Sequence, residues 1–136
     1  MAASPKGQSV LPEIPSQTST SLAKAGSMLG SAGTIVMDDS TCMVWMAERL
    51  TYFYKDESCG KCTPCRVGGT QLLRLLNRFV ERKAKEKDLA TVRRMANAMQ
   101  KASLCGLGQT ASNPVLSALR YFEPEFRERL AQTNKD

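Results

Sequence analysis

The stretch ESCGKCTPCRVGG places Cys59, Cys62 and Cys65 within seven positions, in the spacing C-x2-C-x2-C. Such a run could be a metal site, a redox switch or a set of buried thiols. Two intervening residues let a turning backbone aim successive sulfurs at one small object, and bacterial ferredoxins use the same spacing to hold a cubane. The chain has five cysteines and no histidine. Lack of histidine excludes Cys/His zinc sites and every Ser-His or Cys-His catalytic pair. A thioredoxin-like C-x-x-C requires a surrounding parallel sheet, and no sheet is legible here. Clustered cysteines in a cytosolic chain more often bind metal than form disulfides.

A fourth ligand must come from elsewhere. The later cysteine is Cys105, separated from Cys65 by residues 66–104. If the helices between them form a hairpin, Cys105 returns to the end where Cys65 lies, and four thiolates meet around one [4Fe–4S] cluster. Four-cysteine zinc sites usually divide into two C-x2-C pairs; a three-plus-one division suits a cubane better, and zinc stands as the alternative. The radical-SAM run C-x3-C-x2-C has a first gap one residue longer. Neighbouring residues suit a cluster. Lys61 and Arg66 offer positive charge against the thiolates, and Gly60, Gly106 and Gly108 leave backbone N–H groups able to approach sulfur. Cys42, at the start of a helix, reads as a small buried hydrophobe. Trp45 and the methionines read as core or interface residues.

Helices must position these thiols. Asp39 or Ser40 can cap a helix running to about Lys55, with Met43, Met46, Ala47, Leu50, Phe53 and Tyr54 on one apolar face. Thr63 and Pro64 fit the N-cap and first position of a second helix, carrying Leu72, Leu73, Leu75, Leu76, Phe79 and Val80. Asp88 can cap a third, with Leu89, Val92, Ala96 and Met99 inward. SLCGLGQTAS is a glycine-bearing break. Asn113-Pro114 opens a fourth, with Val115, Leu116, Leu119 and Phe122 inward, and Glu123-Pro124 restarts a short last one. The fold class this predicts is all-α, a small four-helix bundle. Before it, residues 1–21 read as a disordered tail, too poor in large apolar groups to offset ordering entropy. TIVM, residues 34–37, is a short strand candidate.

The length, 136 residues, suits one domain, and 42% hydrophobic with 24% charged residues reads as globular. No apolar run approaches the roughly 18 residues of a membrane span, so no direct membrane insertion is expected. The first twenty residues lack the apolar stretch of a secretory signal, which makes a cytoplasmic protein the default, peripheral to a membrane complex at most. The net charge of +6 lies mostly on helical faces. A solvated face or docking on an acidic partner accounts for it. Nucleic acid is not expected, because few aromatics interleave the basic residues.

Three motifs taken together, AGSMLGSAGTIVMDDSTCMV, ESCGKCTPCRVGG and SLCGLGQTASNPVLSALRYFEPEF, resemble the C-terminal part of the NADH- and flavin-binding subunit of respiratory complex I. Relatives of that subunit occur in NAD-linked hydrogenases and formate dehydrogenases, and CGLGQTASNPVLSALRYF looks nearer to that branch. The resemblance covers roughly residues 22–130. It implies a helical bundle holding one [4Fe–4S] cluster, with Cys59, Cys62, Cys65 and Cys105 as ligands and Gly60, Lys61, Arg66 and Gly106 around them. It implies electron transfer from NADH-reduced flavin to iron–sulfur centres of neighbouring subunits. Partners would be a flavin/NADH-binding polypeptide and other iron–sulfur subunits. Residues 22–37 resemble only the tail of a ubiquitin-like domain, and 38–136 the helical domain. No segment resembles the glycine-rich flavin and NADH fold, so no FMN or NAD site and no catalysis by this chain alone is expected. An assembly module that docks partner subunits is the second functional reading.

Overall fold

The computed structural model describes residue 30 and residues 35–131. The expected tail and most of the expected ubiquitin-like remnant lie outside these. Among the described residues the elements are six helices and no strand: α1 (Met43–Asp56), α2 (Thr63–Val80), α3 (Glu86–Ala102), α4 (Gly106–Thr110), α5 (Asn113–Tyr121) and α6 (Glu123–Glu128). The all-α bundle is as expected, with α4 added inside the glycine-bearing break. Of the strand candidate, residues 35–37 form no strand, and Ile35 and Val36 are exposed.

Each helix start shows why it begins there. Before α1, the Asp38 carboxylate accepts the Ser40 N–H at 3.1 Å and its hydroxyl at 2.6 Å. That local turn uses the acid before the helix, so neither Asp39 nor Ser40 is the cap. Cys42 takes the place: its backbone is extended, and its sulfur accepts the Trp45 N–H at 3.5 Å. The N–H of Met43 donates to Glu125 Oε2 of α6 at 3.0 Å. Cys42 is half-buried against the core, so it both packs and caps. At α2 the N-cap is Cys62 and Thr63 is already helical, with Pro64 in the first turn, where its missing N–H costs no bond. At α3 the N-cap is Lys85, and Asp88 acts from three residues further on by accepting the Lys85 N–H at 2.7 Å. Asp88 is buried and tolerable there because Arg78 of α2 pairs with it at 3.0 Å.

The α2–α3 hairpin forms the frame. Its turn ends α2 with Arg82 at φ 58°, where the Lys83 N–H reaches back to Arg78 O at 2.7 Å and the Arg82 N–H to Phe79 O at 3.1 Å. This left-handed cap usually carries glycine. Leu72, Leu76 and Phe79 face Leu89, Val92 and Met99 in the core. Phe79 meets Phe126 of α6 edge to face, ring centroids 5.6 Å apart. The segment after α6 is tied to the same turn by Ala131 N–H donating to Ala84 O at 2.7 Å.

The first helix buries only part of the expected face: Ala47 is buried and Tyr54 packs half-buried on the core, but the buried stripe is centred elsewhere. Val44, Ala47, Glu48 and Thr51 are buried, while Phe53 is 55% exposed and Trp45 42%. Apart from Glu48 the buried stripe is built of smaller groups, and Thr51 hides its hydroxyl on Ala47 O at 2.7 Å. Small side chains let α1 lie close against α2. Trp45, Tyr52 and Phe53 stand outside, with Arg49 over Trp45 and Lys55 over Tyr52.

Candidate metal centre

The end of the bundle where α2 begins and α3 finishes carries the sequence-predicted residues. The loop from α1 to α2 holds Cys59, Gly60, Lys61 and Cys62, and Cys65 follows in the first turn of α2. Gly60 has φ +76°, a conformation that L side chains rarely adopt, and this turns the loop sharply between Cys59 and Cys62. Arg66 fastens the turn: its Nη1 donates to Gly60 O at 2.7 Å. Gly60 N–H donates to Ser58 Oγ at 3.3 Å, and Ser58 Oγ lies 3.2 Å from Cys65 Sγ. The Gly60 N–H expected to approach sulfur therefore acts one step away, through Ser58. Lys61 is exposed beside these groups.

The second segment descends from α3. Ser103 ends that helix, its N–H donating to Met99 O at 3.1 Å, and its own carbonyl accepts Gln109 Nε2 at 3.1 Å. Cys105 then caps α4. Gly108, in α4, presses directly on α2. A Cβ added there would stand 2.6 Å from Ser103 Cβ and 3.1 Å from Cys65 Cβ. The glycine requirement in this loop is thus at Gly108. At Gly106 an added Cβ would meet no atom within 4 Å.

These contacts bring the Cys105 segment onto the cysteine triplet. The backbone N–H of Leu104 and then that of Cys65 hold the Cys62 thiol below its ordinary pKa; partial desolvation opposes them, and the Ser103 hydroxyl adds a smaller pull. Leu104 is the residue before Cys105. A lowered pKa favours the thiolate, the form that ligates metal. Cys65 is buried, Cys62 half-buried, and Cys59 and Cys105 open to the surface. The Ser103 hydroxyl is buried and completes no hydrogen bond. Among the described residues, no three cysteine or acidic side chains close to the distances of one metal ion. Ligands of a cubane bond to different irons and stand further apart than ligands of a single ion. The donor set and its backbone N–H groups fit a cluster bound by thiolates. Ser58, Ser103 and the packing role of Gly108 were not legible in the sequence, although each is within three residues of a cysteine.

Fold and site together define a class: a small helical domain that offers cysteine thiols at one end, the donor set of iron–sulfur proteins. The chain belongs to the family described as the NADH-ubiquinone oxidoreductase-F iron–sulfur binding region, whose sequence profile matches residues 45–129. That family makes it a [4Fe–4S]-binding region. It is 42% identical over 106 residues to the NADP-reducing hydrogenase subunit HndC of Solidesulfovibrio fructosivorans, covering 78% of this chain and 22% of that one. It is 43% identical over 106 residues to an NADH-quinone oxidoreductase subunit of Rhizobium meliloti (strain 1021), covering 78% and 25%. Hydrogenase and quinone oxidoreductase relatives therefore match to the same degree. Among solved structures, it is similar to the NAD+-reducing [NiFe]-hydrogenase in the H2-reduced state, with TM-score 0.69 and 31% identity, covering 73% of this chain and 17% of that one. The chain thus spans about a quarter of the length of the curated relatives it matches. Among the described residues no helix is long and apolar enough to cross a membrane.

Proposed function

We propose that Cys59, Cys62, Cys65 and Cys105 hold one [4Fe–4S] cluster, and that the domain relays single electrons through it within a multisubunit NADH-linked dehydrogenase. The observation that carries this reading is the seating of the Cys105 segment on the triplet. Gly108 of α4 packs between Ser103 and Cys65, which sets Cys105 beside the first turn of α2. The hairpin thereby supplies the lone cysteine to the three clustered ones.

The cluster would supply the one-electron chemistry. The residues of the chain keep it in place. Gly60 and Arg66 shape the loop between the first two thiols, and Arg66 and Lys61 set positive charge against the thiolates. Gly106 leaves open space beside Cys105. Exposed Cys59 and Cys105 put the centre at the surface, where an electron can enter or leave. The relatives named as NADH-quinone oxidoreductase and hydrogenase subunits motivate the partners: a flavin/NADH-binding polypeptide on one side and iron–sulfur subunits on the other. We place the protein in the cytoplasm.

The test of the ligand set is Cys105→Ser. Wild-type chain reconstituted anaerobically should show an EPR signal on reduction, and the variant should lose or weaken it. A variant with unchanged iron, sulfide and EPR would show that the fourth ligand is a different residue.

A further inference from the structure

Two serine hydroxyls border the centre, one on each of its loops. Ser58 Oγ lies 3.2 Å from Cys65 Sγ and also accepts the Gly60 N–H at 3.3 Å. A thiolate bound to iron has no proton to give. In the loaded centre the hydroxyl is therefore the donor and Cys65 Sγ the acceptor. The turn at Gly60, φ +76°, returns its N–H to Ser58 and leaves the hydroxyl proton for sulfur.

Ser103 is 4% exposed, and its Oγ has no hydrogen-bond partner. Both of its backbone groups are used, by Met99 and Gln109. The hydroxyl is set on the side of the cysteines: the Cβ position of Gly108 is 2.8 Å from Ser103 Oγ and 3.1 Å from Cys65 Cβ. Buried hydroxyls are nearly always paired, and a ligating thiolate is an acceptor that would complete this one.

We propose that Ser58 and Ser103 are positioning residues that donate hydrogen bonds to ligating thiolates, Ser58 to Cys65 and Ser103 from the opposite loop, and so raise the reduction potential of the centre. This rests on the four-cysteine cubane reading. When a low-potential one-electron reductant gives up its electron, the ligating sulfurs become more negative. Hydrogen bonds to charged acceptors are the stronger ones, so the two donors favour the reduced form. No bond breaks, and each hydroxyl proton stays on its oxygen.

The experiment is an EPR-monitored redox titration of the anaerobically reconstituted full chain, as wild type, Ser58→Ala, Ser103→Ala and the double variant. Iron and sulfide per chain are measured first. The expected result is wild-type iron and sulfide with a more negative midpoint. Each lost hydroxyl should shift the equilibrium about tenfold, or about 59 mV for one electron, additively in the double variant. Ser58→Thr should restore the wild-type value. In D2O the reduced wild type should show exchangeable deuteron couplings that each alanine variant loses. An intact cubane with unmoved midpoint and unchanged couplings overturns the proposal alone. A wild-type chain that takes up no sulfide sinks the cubane reading and this proposal with it. Ser58 is half-buried, so its variant carries the test by itself should Ser103→Ala not assemble.

Discussion

Gly108→Ala should disconnect the two halves of the centre. The new Cβ would stand 2.6 Å from Ser103 Cβ, 2.8 Å from Ser103 Oγ and 3.1 Å from Cys65 Cβ. Carbon atoms rest at about 3.5–4.0 Å, so relief takes a separation of about 1 Å. Ser103 has little freedom, being held by Met99 O and Gln109 Nε2 at 3.1 Å each. Cys65 sits buried in α2. The short helix α4, which Cys105 caps, must therefore shift off both Ser103 and Cys65. Overpacking of this kind costs about 1–3 kcal/mol, and alanine recovers up to about 1 kcal/mol as the better helix former. With about 1 kcal/mol recovered, the net loss is up to about 2 kcal/mol, which lowers the melting temperature by about 4–8 °C per kcal/mol. The centre suffers more, because a ligand constellation tolerates only about 0.5 Å. Iron and sulfide uptake should fall sharply relative to wild type. Gly106→Ala is the control: its Cβ meets open space, so the apo chain should melt as the wild type does. A Gly108→Ala chain with wild-type melting and wild-type uptake would refute the packing argument.

Further outcomes are expected elsewhere. Arg82→Gly should stabilise the apo chain by about 1 kcal/mol in urea unfolding, because φ 58° costs a non-glycine residue about that much. Phe126→Ala removes a fully buried ring that meets Phe79 and should cost about 3–5 kcal/mol in the same assay. Cys42→Ser should leave iron and sulfide content unchanged and alter stability by less than about 1 kcal/mol, since serine also caps helices; loss of iron would place Cys42 in the centre.

Where a helix carries one apolar stripe bounded by charge, its inward face was legible. In α3 the expected Leu89, Val92, Ala96 and Met99 are all buried. The first helix misled because it has two stripes. The larger stripe, with Phe53, reads as core, but the stripe that packs runs through Val44 and Thr51 and shares only Ala47 with it among its buried residues. Only the distance between helices decides between them, and that distance is not written locally. Helix α4 was hidden because two glycines in GLGQT oppose helix formation; its packing on Ser103 and Cys65 overrides that preference. Cysteine is not a usual N-cap, so local preference points to Ser40 and Thr63 where Cys42 and Cys62 hold the position. The cysteine motif was legible at once, by spacing. The serines beside it were not, because a serine next to a cysteine can bond many things, and only the fold shows which sulfur it faces.

One cubane held on four thiols would be weighed directly by native mass spectrometry of the anaerobically reconstituted chain. A mass increase of about four irons and four sulfides is expected, lost on Cys105→Ser and kept on Cys42→Ser. A chain that binds a single zinc and no sulfide would contradict it.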